Sequence, residues 1–220
     1  MKITYEEIKK NDTVNTYIRK ADESLTALGY TEHSFPHVCK VAETAGMILE
    51  MLGYDEHTVE LARIAGYMHD IGNVVNRVDH AQSGAVMSFR ILDKAGMDDE
   101  DIATIVSAIG NHDESTAFPV NPVAAALIIA DKSDVRESRV RRAADITSDI
   151  HDRVNYAVKE QLLTVMPKEK RIVLILEINN DISEVMEYFE IFMGRMKLCK
   201  KAAEKLGMKF KLIINSQEMA

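Results

Sequence analysis

Through the first 165 residues, apolar side chains recur at intervals of three and four, and alternation typical of strands is scarce. This spacing is typical of amphipathic helices, which bury one apolar face. The sequence therefore predicts a mainly α-helical domain. Its helices are expected at residues 12–28, 35–52, 56–70, 80–96, 99–110, 120–138 and 148–165.

The pattern changes after Met166-Pro167-Lys168. Residues 171–179 form a β-branched run that predicts a strand, a helical face follows at 182–206, and a second strand is expected at 209–215. Asp181 with Glu184 resembles a capping box at the start of that helix. Two strands are not stable alone in water, so this β-α-β appendage must pack on the helical domain, on a partner chain, or on both.

The predicted fold class is therefore mainly α with a small C-terminal β-α-β appendage, an α+β arrangement. We place the helical domain at residues 1–166 and the appendage at residues 167–220. The appendage could also serve as a homodimerisation element, because its strand edges seek a partner.

Composition indicates a folded protein without a membrane span. The 220 residues are 46% hydrophobic and 28% charged, which suffices for a sizeable core. The longest apolar run, residues 123–130, is far shorter than the roughly 20 residues that a spanning helix needs. The polar, acidic amino terminus does not resemble a secretory signal. Two isolated cysteines, Cys39 and Cys199, favour a reducing compartment, so we expect a cytoplasmic protein.

Charge and aromatic content disfavour nucleic acid as a partner. The formal net charge is −8, whereas binding to a nucleic-acid backbone normally depends on clustered lysine and arginine. The chain has no tryptophan and only 6% aromatic residues, too few for a single-strand stacking platform.

The candidate chemistry begins at His69-Asp70, which ends an otherwise apolar helix. A single His-Asp pair is most often a surface feature. Here, however, His37 lies 32 residues earlier on another predicted helix, and Asp131 follows the apolar run at 123–130. A carboxylate that directly follows eight apolar residues is expected to be buried, and its charge then needs a compensating partner. Imidazole and carboxylate together are suitable ligands for a first-row transition metal.

Together, His37, His69-Asp70 and Asp131, with Val41-Ala42 in a His-x-x-x-Val-Ala pattern, resemble the HD-domain metal-dependent phosphohydrolase superfamily. The resemblance spans about residues 30–145. It implies an HD-type helical bundle that binds divalent metal.

Two further histidines, in His80-x-x-x-Gly84 and in the loop around His112, resemble additions found in the dinuclear branch of that superfamily. Similar branches include the bacterial HD-type diadenosine-tetraphosphate hydrolases and the HD-GYP cyclic-di-GMP phosphodiesterases. The resemblance implies two divalent transition-metal ions, which could be Fe, Mn, Zn, Co or Ni. It implies one site of His37, His69, Asp70 and Asp131, and a second of Asp70, His80 and His112.

By this resemblance, His69 and Asp70 form the catalytic centre, and Asp70 bridges the ions. Two cations about 3.5–4 Å apart can bind a phosphate oxygen and activate a bridging water. The implied function is hydrolysis of a phosphomonoester, a phosphodiester or a nucleotide phosphoanhydride by a metal-bridging hydroxide. The expected partner is a small phosphorylated metabolite or nucleotide.

Three features near the motif differ from the families that it resembles. Asn73 stands where both branches usually carry a phosphate-binding lysine, so Asn73 or Arg77 takes over that role or the substrate differs. His33, one helical turn before His37, could be a third-site ligand or face a phosphate, or could be an exposed or capping residue. The Gly-Tyr-Pro triplet of HD-GYP proteins is absent, which disfavours cyclic-di-GMP.

Basic residues are needed to hold the rest of an anionic substrate. We consider the group that follows Asp131, namely Lys132, Arg136, Arg139, Arg141 and Arg142. Spacings of four and three predict that Lys132, Arg136 and Arg139 share one helix face and form a phosphate clamp. The alternative is a solvated face paired with neighbouring acidic residues, which fits Arg141 and Arg142 best.

Two other functions stay open. The chain could be a catalytically inactive HD module that binds a phosphorylated ligand or mediates dimerisation, as the missing lysine at Asn73 would allow. Distant HD relatives also carry out oxygenase chemistry at a mixed-valent di-iron centre. A complete ligand set favours the hydrolase over the inactive module.

Overall fold

The computed structural model describes residues 3–141 and 150–219. Its helices are α1 (Tyr5–Lys9), α2 (Asp12–Ala27), α3 (Phe35–Met51), α4 (Glu56–Met68), α5 (His80–Ala95), α6 (Asp99–Gly110), α7 (Pro122–Ser133), α8 (Ile150–Ala157) and α9 (Val185–Lys205). Its strands are β1 (Val158–Met166), β2 (Arg171–Ile178), β3 (Lys209–Ile214) and β4 (Gln217–Glu218). Short 3₁₀ turns lie at Ile71–Val74, Glu137–Arg139 and Pro167–Glu169.

The five helices expected between residues 12 and 110 are confirmed to within two residues at each end. Polar residues fix three of their starts, because the side chains of Asn11, Asp55 and Asp98 accept hydrogen bonds from the first free backbone N–H groups of α2, α4 and α6.

Helix α7 lies at the centre of the core. All eight residues from Val123 to Ala130 are buried, and the helix packs against α3, α4, α6 and α9. Asn121 caps its start through the backbone N–H of Ala124. Asp131 therefore emerges at the end of a helix surrounded by protein. None of the described helices, including α7, is long and apolar enough to cross a membrane.

The helix predicted at 120–138 ends early, at Ser133. Asp134 leaves helical geometry, with φ −78° and ψ 76°, and turns its carboxylate inward to His37. The prediction that Lys132, Arg136 and Arg139 share one helix face is therefore wrong, because the two arginines follow the end of the helix.

The helix predicted at 148–165 is also wrong in its second half. Within the described residues the helix ends at Ala157, and strand β1 runs from Val158 to Met166. β1 pairs antiparallel with the following strand β2 in a hairpin, and this pairing overrides the local apolar spacing.

The four strands form one sheet in the order β1-β2-β3-β4. β2 and β3 are parallel and joined through α9, which confirms the predicted β-α-β unit. The start of α9 differs from the prediction, because Glu184 with Glu187 forms its capping box rather than Asp181 with Glu184.

The appendage packs on the helical domain, since α9 lies against α7 on one side and β3 on the other. The predicted domain boundary at residues 166/167 falls between the two strands of the β1–β2 hairpin. The division into two domains stays a prediction. Pairing with a second copy of the chain also stays a prediction.

Candidate metal centre

The six residues predicted as metal ligands converge at the ends of five helices. They are His37 in the first turn of α3, His69 and Asp70 after α4, His80 at the start of α5, His112 after α6 and Asp131 in the last turn of α7. Gly72 allows the 3₁₀ turn at Ile71–Val74 to lie close against the start of α5, because a Cβ atom there would lie 2.0 Å from the backbone oxygen of His80.

The Asp70 carboxylate occupies the middle of the cluster. Its Oδ2 lies 3.3 Å from His69 Nε2 and 3.7 Å from His37 Nε2. Its Oδ1 lies 3.5 Å from His80 Nε2 and 4.0 Å from His112 Nε2. Each carboxylate oxygen therefore faces its own pair of imidazole nitrogens.

Asp131 completes the side of the cluster that holds His37 and His69. Its Oδ1 lies 3.4 Å from His37 Nε2 and 3.8 Å from His69 Nε2. On the other side, the Nε2 atoms of His80 and His112 are 3.2 Å apart. The groups His37/His69/Asp70, His69/His112/Asp131 and Asp70/His80/His112 each present donor atoms within 4.8 Å of one another and could hold a metal ion.

The Nδ1 atoms of all four histidines are fixed on the outer side of the cluster. They donate to Asp134 Oδ2 (from His37, 2.8 Å) and to the backbone oxygens of Gly66 (from His69, 2.7 Å), Arg77 (from His80, 3.0 Å) and Ile109 (from His112, 2.6 Å). Carbonyl and carboxylate oxygens accept these bonds, so a proton lies on each Nδ1, and a ring that carries only this proton presents the lone pair of Nε2 to the centre.

This donor set fits a divalent cation. The Nε2 atoms of His37 and His69 are buried and have no hydrogen-bond partner. The Nε2 lone pairs of His80 and His112 face each other at 3.2 Å, and Arg77 Nη1 approaches only that of His80, at 3.4 Å, so the pair needs a further positive charge between the two rings. Nitrogen and carboxylate oxygen donors in a buried pocket satisfy both requirements when a metal ion binds.

The carboxylates are held in the ionised state that metal binding requires. Burial opposes ionisation at Asp70, but the neighbouring His69, together with His33 and His80, keeps its pKa well below the usual range. Burial also opposes ionisation at Asp131, where Lys132, together with the nearby His37 and His69 rings, keeps the pKa well below the usual range.

The histidines divide into two classes. Burial lowers the pKa of His80, and burial with the nearby His69 and Lys132 lowers the pKa of His112 to about 3. Burial also acts to lower the pKa of His69, but the Asp70 carboxylate, with Asp131, raises it overall. Neutral imidazoles at His80 and His112 are ready to act as ligands, and a cation bound at His69 would replace a proton.

Asp134 is a candidate orienting residue, which the sequence analysis counted only among the acidic neighbours of the arginines on a solvated face. Its carboxylate is buried and accepts from His37 Nδ1, lies 3.1 Å from Lys40 Nζ and accepts from Arg136 Nε at 2.8 Å. Burial opposes its ionisation, yet the His37 hydrogen bond and Arg139 hold its pKa well below the usual range. The available signal was its spacing of three residues from Asp131, which places both at one helix end.

Asn73 and Arg77 lie behind and beside Asp70. The buried Asn73 Nδ2 donates to Asp70 Oδ1 at 2.9 Å and to its backbone oxygen at 3.0 Å, so Asn73 orients that carboxylate. Arg77 Nη1 donates to Asn73 Oδ1 at 3.2 Å, and its guanidinium lies over the Tyr30 ring. Arg77 lines the cavity next to the cluster, whereas Asn73 does not. Substrate binding by either residue stays a prediction.

The cluster opens into a cavity of about 420 Å³. The cavity is lined by Leu28, Gly29, Tyr30, Thr31, His33, Asp70, Arg77, His80, His112, Asp131, Lys132, Arg139, His151, Asp152, Asn155, Phe192 and Arg195. His33 lies on this wall with its ring 5.4 Å from that of His37, and its Nδ1 donates to the Thr31 oxygen. Burial and the nearby Arg139 hold the pKa of His33 well below its usual value.

The basic residues predicted to form a phosphate clamp bind different groups and do not all reach the cavity. Lys132 Nζ lies 2.7 Å from Asp131 Oδ2 at the cavity wall, and the buried Arg139 also reaches that wall. Arg136 does not line the cavity, because it is bound to Asp134 and Ser138. Arg141 pairs with Asp22, and Arg142 lies outside the described residues.

The sequence analysis also missed the cavity residues of α8 and α9. These are His151, Asp152 and Asn155 on α8 and Phe192 and Arg195 on α9. His151-Asp152 is a third His-Asp pair, after His69-Asp70 and His112-Asp113, and could have drawn notice. No local signal indicated that α9 would reach the cavity.

Comparison with known proteins identifies a family for this region. A family model described as HD domain matches residues 35–148, slightly more than half of the 220 residues. An uncharacterized protein of Methanocaldococcus jannaschii is 26% identical over 162 residues, covering 64% of this chain and 62% of that protein. The chain thus spans less than two thirds of that relative's length.

The crystal structure of a predicted HD superfamily hydrolase from an uncultured Thermotogales bacterium is also similar. It has a TM-score of 0.45 and 26% sequence identity, and the match covers 56% of this chain and 67% of that chain.

Proposed function

The chain belongs to the HD domain family, and on this premise we propose that it is a dinuclear metal-dependent phosphohydrolase acting on a small phosphorylated compound. The observation that carries the proposal is the Asp70 carboxylate, which offers one oxygen to His37 and His69 and the other to His80 and His112. A carboxylate in this position can bridge two cations.

In this proposal, His37, His69, Asp70 and Asp131 would hold one cation, and Asp70, His80 and His112 would hold the other. Bound divalent cations supply Lewis-acid polarisation of a phosphoryl oxygen and activation of water for attack on phosphorus.

The protein's own groups set the geometry for this reaction. Asn73 holds the bridging carboxylate of Asp70, and Asp134 fixes the ring of His37. Arg77 lines the cavity beside His80, where its guanidinium is suited to bind a substrate phosphate. The location in the cytoplasm and a homodimer formed through the appendage remain part of the proposal.

The test is metal content per chain, measured by elemental analysis on protein purified without chelator or nickel affinity resin. We expect about two ions in the parent, about one in His80→Ala and almost none in Asp70→Ala. His57→Ala is the matched control, because His57 pairs with Asp101 away from the cluster and its loss should leave the metal content unchanged. A parent with one ion or fewer that does not respond to His80→Ala contradicts the dinuclear assignment.

The loaded parent is then assayed with p-nitrophenyl phosphate, bis(p-nitrophenyl) phosphate and a nucleoside triphosphate, one probe for each bond class. Turnover of one probe, lost in Asp70→Ala and retained in His57→Ala, is the expected result. Two bound ions without turnover of any phosphorylated probe would instead favour the inactive ligand-binding module.

A further inference from the structure

The C-terminal appendage provides part of the wall of the metal-site cavity. Phe192 and Arg195 of α9 line this cavity, together with metal-cluster residues of the helical domain such as Asp70 and Asp131. None of the six proposed ligands lies on the appendage. A contribution of the appendage to the site would therefore be made toward a substrate rather than toward the metal.

Two of the four lysine and arginine side chains on the described cavity wall are already committed to protein groups. Lys132 Nζ is bound to Asp131 at 2.7 Å. Arg139 is buried, and all three of its guanidinium nitrogens donate to backbone oxygens, those of Glu32 and Asp134, at 2.9–3.0 Å. Arg139 cannot take up a new anion without giving up buried hydrogen bonds, which is costly, and the charge of Lys132 is already paired with Asp131, a proposed metal ligand.

Arg195 is positioned but not saturated. Its Nε donates to Glu114 Oε1 at 2.5 Å, and its guanidinium lies 4.5 Å from the centre of the Phe192 ring. These two contacts fix the plane of the guanidinium. Among the described residues, no acceptor binds its Nη1 or Nη2. A fixed, planar fork with two available N–H edges matches the geometry of a phosphate or carboxylate.

Arg77 has a similar arrangement at another part of the wall, with one nitrogen on Asn73 and the guanidinium over Tyr30. The Arg77 guanidinium lies next to His80, so it is placed to bind the phosphate that the metal centre would hold. Arg195 belongs to a different element, α9, and is tied to the Glu114 loop. The wall therefore offers two separate guanidinium groups rather than one combined clamp.

We propose that Arg195 forms a second anion subsite, which binds a phosphate or carboxylate group at the far end of a substrate whose first phosphate lies at the metal centre. This inference rests on the proposed function, because it assumes that the first phosphate binds there. The substrate class is then a phosphorylated compound with a second anionic group. Arg195 would determine specificity and take no part in bond cleavage.

The test uses phosphonates, whose P–C bonds a phosphohydrolase does not cleave. Isothermal titration calorimetry on metal-loaded protein compares methylphosphonate with two series of increasing chain length. The α,ω-alkane bisphosphonates carry a second phosphonate, and the ω-phosphonocarboxylates carry a carboxylate, so the two series distinguish the second group. Metal content is measured after each titration, because bisphosphonates chelate cations.

We expect the parent to bind at least one two-anion probe about tenfold to hundredfold more tightly than methylphosphonate, the range for charge-assisted hydrogen bonds. Arg195→Gln should abolish this preference and leave methylphosphonate binding unchanged. Arg195→Lys, which keeps the charge but not the fork, should retain part of it. Arg90→Gln is the matched control, since Arg90 is exposed and pairs only loosely with Asp93.

Two results would overturn the subsite. One is a parent that binds methylphosphonate and every two-anion probe equally well, which leaves the proposed function intact. The other is a two-anion preference that survives unchanged in Arg195→Gln. A loaded parent that binds no phosphonate at all would overturn both the subsite and the proposed function.

Discussion

The carboxylate of Asp134 makes a strong test of how the metal cluster is organised, because it touches only one proposed ligand. Its Oδ2 accepts from His37 Nδ1 at 2.8 Å, while its Oδ1 faces Arg136 Nε at 2.8 Å and Lys40 Nζ at 3.1 Å. Removing its charge should weaken His37 as a ligand without removing any donor atom from the cluster.

The size of the effect depends on the substitution. In Asp134→Asn, the side chain keeps one oxygen. That oxygen can accept a hydrogen bond either from His37 or from the Lys40 and Arg136 side chains. The His37 ring is fully buried, whereas the Lys40 and Arg136 side chains are 36% and 22% exposed and can turn to water. The amide oxygen should therefore stay with His37, and metal affinity should fall about tenfold, the lower end of the range for such partners.

Asp134→Ala leaves the buried His37 Nδ1–H without an acceptor. The cost of an unsatisfied buried donor adds to the lost orientation, so metal affinity should fall about hundredfold, the upper end of that range. The expected order of affinity is parent, then Asn, then Ala.

The assay is competition for Co²⁺ or Mn²⁺ against a chromogenic chelator at fixed pH, with circular dichroism to verify folding. The control is Asp101→Asn, which breaks a second His–carboxylate contact, to His57 at 2.7 Å, outside the cluster. Equal affinities in the parent and both Asp134 variants would refute the argument. A loss of the same size in Asp101→Asn would mean that the effect is general rather than local.

Two further predictions concern stability. In a urea titration, Gly72→Ala should destabilise the fold by about 3 kcal/mol, the upper end for overpacking, since the new Cβ would meet backbone atoms of α5. Gly110→Ala is the control and should be close to neutral, because a Cβ at Gly110 would lie 3.6 Å from its nearest neighbour. Hydrogen bonds from Arg153 and Ser183 lower the pKa of Glu187 to about 2. The ionised Glu187 side chain therefore contributes fully to stability above pH 4.5, and this contribution is lost as the pH falls toward 2. In Glu187→Gln, the urea midpoint should decline less steeply with falling pH over that interval. An equally steep decline in the parent and the variant would contradict this prediction.

The parts of the fold that local sequence could predict are those with local causes. The helices between residues 12 and 110 follow a regular apolar stripe, and three of them start at side-chain caps, so these signals lie within a few residues of one another. Strand β1 has no comparable signal. Its residues become a strand because β2 lies beside them, and β2 comes later in the chain. The end of α7 at Ser133 likewise depends on a distant residue, His37.

The same division applies to the site. Histidine and aspartate at helix ends can be recognised one by one, and their order along the chain resembles a known pattern, so the six proposed ligands could be named in advance. The groups that orient them could not. Asp134 and Asn73 act through contacts with His37 and Asp70, and hydrogen-bond partners of this kind are visible only once the helices are packed.

The packing of the appendage bears on which function the chain serves. Helix α9 covers the central helix α7, and Asp131 lies in the last turn of α7. The buried face of α9, which includes Phe192 and Cys199, therefore supports the core that positions a proposed ligand, while Arg195 lines the cavity beside it. An appendage used only for dimerisation would need neither contact. A substrate-binding wall needs both, because the anion-binding group must keep a fixed position relative to the metal centre, and packing α9 directly on α7 provides that.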